Sequence, residues 1–159
     1  MGPLGYSSEV TSTASELRLP ADRRYVLVAK RAAAGFAAVA GLDVEALDDL
    51  VIAVAQACEN AIALTERVAG PGNGHVRLVF TLADNALDIH VRSSLSRAEL
   101  ELAARHRAVA AVQAAREAQA REAEEMAMQV MGLFVDDFGY RMDERTGGLR
   151  VRLTKYLVR

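Results

Sequence analysis

Residues 53–62 read AVAQACENAI, and Gln56, Glu59 and Asn60 form a polar cluster within an otherwise apolar periodic run. Gln56 and Asn60 stand four residues apart, about one helical turn, and so share a face. Both carry amides, which donate and accept hydrogen bonds but take up no proton near neutrality. Glu59 is an acid, yet it projects about 100° away around the helix. Spacing alone reads Gln56 and Asn60 as two polar side chains hydrogen-bonded at a helix edge.

The other reactive side chains stand alone. Cys58 falls on the apolar face of the same helix and reads as a small core residue, with no histidine placed to activate it. His75, His90 and His106 are scattered over two strands and a helix, without metal-ligand spacing. No Ser–His–Asp arrangement can be argued. Met126, Met128 and Met131 recur at helical spacing and read as core packing, a plastic partner-binding surface being the sharper alternative.

The elements that must position these residues follow from composition and periodicity. The 159 residues are 52% hydrophobic and 25% charged, enough for one domain with a real core. A net charge of −2 makes no general case for nucleic-acid or anionic-membrane binding. A single cysteine excludes an internal disulfide and fits a reducing cytoplasm. No apolar run approaches the roughly 20 residues that span a bilayer. Residues 1–13 read as a disordered tail, part of it resembling a tag remnant, and residues 14–159 as one domain.

SELRLP is a short half-buried strand stopped by Pro20. Asp22 can cap a helix running to Ala40, with Gly41 past its end. Val26, Val28, Ala29, Ala32, Ala33, Phe36 and Val39 would face inward, leaving Arg23, Arg24, Lys30 and Arg31 on a basic outer face. Asp43 can cap a second helix, whose Leu47, Leu50, Val51, Val54, Cys58 and Ala61 follow the i, i+3, i+4, i+7 rule. The loop AGPGNG then leads to two strands, HVRLVFTL and ALDIHVRS, joined around Asp84-Asn85. Residues 96 to about 135 read as helix, Ala-rich at first and more apolar at the end. FGYRMD and LRVRLTKYLV close the chain as a hairpin. The order β-α-α-β-β-α-β-β predicts an α/β two-layer sandwich, a mostly antiparallel mixed sheet with helices on one face.

This order, with the segments ELRLPADRRY, GLDVEALDDLVIAVAQACENAI and LFVDDFGYRMDERTGGLRVRLTKYL, resembles the bacterial anti-sigma factor serine kinases, members of the GHKL (Bergerat-fold) histidine-kinase-like ATPase superfamily. The likeness runs from about residue 14 to 159 and lapses between about 93 and 128. It implies a nucleotide site on the second helix, whose Asn, here Asn60, helps ligate Mg²⁺, a hard ion that prefers oxygen. The family's general base is a Glu four residues earlier, and here that position is Gln56. Such bases are worth about 10² to 10⁴ in rate.

Two further motifs of that family are altered. The Asp that accepts from the adenine amine is replaced by Ser93, and the glycines that follow it by Leu95 and Arg97. A serine can still accept that bond, but losing a charged acceptor costs about 1.5–3 kcal/mol. The glycines that open the phosphate-binding helix are missing from Glu125-Met126-Ala127-Met128, and Glu124 and Glu125 would set carboxylates beside polyphosphate. A long Ala-rich helix stands in place of the ATP lid, as a solvated arm, as a cover over the vacant pocket, or as a small-residue face that docks on a partner or a second subunit.

With these departures the resemblance implies a cytoplasmic pseudokinase: a partner-switching regulator that binds a sigma factor, a STAS-domain anti-anti-sigma protein, or both. It would need no cofactor, and would use ATP and Mg²⁺, the metal on Asn60, only if the site (Asn60, Gln56, Ser93) is still competent. The alternatives are an active serine kinase acting on a STAS-domain antagonist, and an adaptor binding only a STAS-domain protein. Arg23, Arg24, Lys30 and Arg31 are the expected partner-binding residues, with no direct nucleic-acid or membrane contact. Members of the family often dimerise, so a homodimer is open.

Overall fold

The computed structural model describes residues 13–107, 114–143 and 146–157. Five strands, β1 (Thr13–Pro20), β2 (His75–Leu82), β3 (Ala86–Ser94), β4 (Asp137–Asp143) and β5 (Gly148–Tyr156), form one sheet in the order β1-β2-β3-β5-β4. All four neighbouring pairs are antiparallel, so the sheet is antiparallel throughout and not mixed. Helices α1 (Val26–Ala40), α2 (Val44–Ala69), α3 (Arg97–Arg107) and α4 (Ala114–Met131) complete the sandwich. None of the described helices is long and apolar enough to cross a membrane.

Local chemistry sets the helix ends. The Asp22 side chain accepts from the Arg24 amide, but it caps a short 3-10 turn, Arg23–Tyr25, and α1 begins one residue later. Gly41 closes α1 in the left-handed region at φ 80°, where a Cβ would be strained. Asp43 accepts from Ala46 N at 2.8 Å and starts α2. Ala29, Ala33 and Ala37 on α1, and Ala53, Ala57 and Ala61 on α2, are fully buried at i, i+4 spacing, which lets the two helices approach closely. Phe36 of α1 stacks on Phe80 of β2 with ring centroids 4.4 Å apart. Val28 and Val39, expected inside, are exposed instead, because the buried stripe of α1 is narrower than its apolar residues allow.

Alternation along the strands puts Leu78, Phe80, Ile89, Val91, Leu149, Val151 and Leu153 into the core beneath α1 and α2. Burying each of these is worth about 1.5–3 kcal/mol relative to exposure. Met128 and Met131 join this core, as their spacing predicts, whereas Met126 lies outside it, 68% exposed. Among the described residues the expected helix over 96–135 is present as α3 and α4, followed by a 3-10 turn at Gly132–Phe134. The stretch between them, 108–113, and the expected tail at 1–12 lie outside the described residues; Thr13 already belongs to β1.

Candidate functional site

The site is built on the inner face of α2. Gln56 donates its side-chain amide to Asn60 Oδ1 at 2.8 Å, the one-turn bond that their spacing allows. Asn60 is 6% exposed, and its own amide donates to the Met128 thioether of α4 at 2.8 Å. The carbonyl that a divalent cation would need is thus an acceptor inside the chain, and its amide end is covered by a helix 68 residues away in sequence. Glu59, one position earlier, faces solvent. About two turns further along, Arg67 pairs with Glu124 of α4, the side chains 15% and 13% exposed. The carboxylate of Glu124 therefore serves α2 and does not stand free; Glu125 beside it is exposed.

A second cluster closes the sheet end that follows β3. Ser93 is 3% exposed, donates to Gly147 O at 2.6 Å and accepts from Leu149 N at 2.8 Å, so its hydroxyl ties β3 to the start of β5. Leu95 occupies the space between two glycines of positive φ: a Cβ on Gly147 would come within 2.9 Å of it, and one on Gly74 within 3.1 Å. Ser96 and Glu99 form a capping box at the start of α3, Glu99 N donating to Ser96 Oγ and Ser96 N to Glu99 Oε1. The other Glu99 oxygen takes the Gly74 amide that opens β2. Burial pushes the Glu99 carboxyl up, but the hydrogen bonds from Ser96 and Gly74 outweigh it and hold the group below the usual glutamate range.

A family model for the histidine kinase-like ATPase domain matches residues 19–155. The chain belongs to that family. Similar proteins include serine-protein kinase RsbW of Listeria monocytogenes serotype 4a (strain HCC23), 26% identical over 141 residues that span 89% of this chain and 85% of the relative. Serine-protein kinase RsbW of Listeria innocua serovar 6a is likewise 26% identical over 141 residues, with the same coverage.

In this histidine kinase-like ATPase domain, the predicted site residues separate into three groups. Gln56 and Asn60 meet, Ser93 is engaged at the turn before β5, and the basic residues lie on and before α1. Arg23 Nη1 donates to both carboxylate oxygens of Glu66 of α2 at 2.7 Å, and Arg24 pairs with Asp22 at 2.6 Å. The Arg24 guanidinium beside Asp22 holds that carboxyl below its ordinary range. Both arginines are engaged within the chain, whereas Lys30 and Arg31 are exposed on α1. Cys58 is buried, and burial, with the charge of Glu59 adding to it, pushes its thiol up to about 12, so it is inert at neutral pH. Among the described residues no three His, Cys, Asp or Glu side chains gather as a metal site.

Sequence reasoning missed four contributors: Arg67, Met128 as the cover of Asn60, Leu95 as a plug, and Glu99. Two of them had a signal: Ser96-Arg97-Ala98-Glu99 has capping-box spacing, and Leu95 stands where the resembling family has glycine. The other two depend on contacts between distant segments.

Proposed function

We propose that this chain is a regulatory binding protein of the anti-sigma factor type, which exchanges protein partners and no longer transfers phosphate. The observation that carries the reading is the Gln56–Asn60 hydrogen bond beneath Met128. A kinase of this family needs a proton acceptor at position 56 and a metal-directed oxygen at position 60. Gln56 is an amide that accepts no proton, and its own N–H takes one of the two lone pairs of the Asn60 oxygen. Leu95 fills space between Gly74 and Gly147 where a backbone approach to nucleotide would need none. As they stand, these residues do not fit a Mg²⁺–nucleotide pair, and no step through one is derived.

Binding needs a surface and not a base, so it can outlast the loss of catalysis. Lys30 and Arg31 are the exposed, uncommitted cations of α1 and would meet acidic groups of a sigma factor or a STAS-domain protein, in a cytoplasmic setting. The name of the RsbW relatives favours the second reading, an ATP-dependent serine kinase with an unconventional site. An adaptor that binds only a STAS-domain protein is the third.

Calorimetric titration with ATP and Mg²⁺, on the parent chain and on Asn60→Ala, tests the first against the second. The expected result is no heat up to millimolar nucleotide. Micromolar binding that disappears in Asn60→Ala would restore the kinase reading. Loss of sigma-factor co-purification in Lys30→Glu/Arg31→Glu then separates the first reading from the third.

A further inference from the structure

The strand register assembles a feature on the sheet face turned away from the helices. Arg18 of β1 pairs with Arg77 of β2, Arg77 with Arg92 of β3, Arg92 with Arg150 of β5, and Arg150 with Arg141 of β4. Directly paired residues share a face, so five arginines form one row across all five strands, about 19 Å from end to end. The adjacent row, Leu17, Leu78, Val91 and Val151, points into the core, which fixes the arginines on the outside.

Like charges directly opposite each other weaken a sheet, and here four successive cross-strand pairs are alike. Local neutralisation is partial, and Asp143 of β4 lines a second depression together with Arg92, Arg141 and Arg150. Arg77 pairs with Glu16 at 2.6 Å, and Arg152, in the neighbouring row, faces Asp88 at 3.7 Å. Among the described residues Arg18, Arg92, Arg141 and Arg150 make no ion pair. Beside them Gly139 presents no side chain, and a depression of about 510 Å³ opens there, lined by Arg77, His90, Arg92, Arg141, Arg150 and Arg152 among others.

We propose that this face docks an acidic segment of a protein partner, whose carboxylates take the guanidinium forks of Arg92, Arg141 and Arg150. Guanidinium matches carboxylate and phosphate in two-pronged geometry, so the choice of anion rests on the surroundings. His90 is the one aromatic ring in the arginine row and the next outward row, Glu16, Val79, His90, Arg152 and Gly139, so successive bases of a single strand would find no run of rings to stack on. The row beyond contains Asp88 and Asp137, and the chain carries a net charge of −2. A long polyanion following the face would run onto these acids, whereas a short acidic segment stays on the arginines. The surface is separate from Lys30 and Arg31 and does not depend on the reading of those residues. It also disfavours self-association through this face, which would oppose two arginine rows.

The test uses the full chain and a fluorescein-labelled peptide of alternating glutamate and aspartate, followed by anisotropy against a glutamine–asparagine peptide. The acidic peptide should bind in a salt-sensitive manner. Arg92→Gln/Arg150→Gln should weaken it about tenfold or more, while Arg105→Gln on the exposed side of α3 leaves it unchanged. Equal affinity in Arg92→Gln/Arg150→Gln, or no binding to the parent chain, overturns the proposal. So does a DNA duplex or a phosphatidylserine vesicle that displaces the peptide more effectively than unlabelled peptide does. A melt without ligand guards against a folding artefact: Arg150→Gln should keep or raise Tm, and a lowered Tm would mark the row as structural.

Discussion

Arg67 of α2 and Glu124 of α4 meet at 2.5 Å with one atom of each, Nη2 and Oε2, buried and without a hydrogen-bond partner. The pair fastens α4 over the part of α2 that carries Asn60, and does so with one guanidinium nitrogen and one carboxylate oxygen unpartnered. Partial satisfaction makes such a pair sensitive to the loss of either member, because the survivor remains a buried charge.

Removing one partner and replacing both should therefore have opposite outcomes. Glu124→Gln is expected to lower stability by about 3 kcal/mol, whereas Arg67→Met/Glu124→Leu should be neutral or stabilising. Urea denaturation of the two variants beside the parent chain decides it. A double variant as unstable as the single one would mean that the charges themselves hold α4 in place.

Glu99 gives a pH dependence with a definite sign. Its carboxyl is held below the ordinary glutamate range in the folded chain, so its contribution is present above the unfolded value and is lost as pH falls through the folded one. Glu99→Gln should cost about 1 kcal/mol at neutral pH, in the range of a lost helix cap. At a pH below the folded value the difference from the parent should shrink. Thermal melts of both proteins across the acid range check this, and a constant difference would contradict it.

Gly147 and Leu95 form a matched pair. Gly147 has φ 65°, and a Cβ there would lie 2.9 Å from Leu95 Cδ1. Gly147→Ala should destabilise by about 1–2 kcal/mol for the left-handed backbone, with the Leu95 clash added. Leu95→Ala in the same chain should relieve the clash but not the backbone strain. Denaturant midpoints of the two singles and the double form a cycle, and strictly additive losses would rule out the contact.

Much of the architecture was legible along the chain. The caps at Asp22 and Asp43, the stop at Gly41 and the strands around Asp84-Asn85 all rest on interactions within a few residues. Such local preferences are written into the sequence because the partners are near neighbours. The Gln56–Asn60 bond was legible for the same reason, both residues lying on one helical turn. The 3-10 turns before α1 and after α4 were not, since a 3-10 turn shares the spacing of a helix end and leaves no separate mark.

The sequence by itself determined the elements, the histidine kinase-like character of the domain and the amide at position 56. Only the tertiary structure decided that Met128 covers Asn60, that Glu124 answers Arg67, and that arginines from five strands share one row. The physical reason is register. A shift of one residue in a strand turns each side chain to the other face, and a shift along a helix exchanges one contact for another. That choice is made by packing across the whole core, where no single stretch of sequence contains both partners.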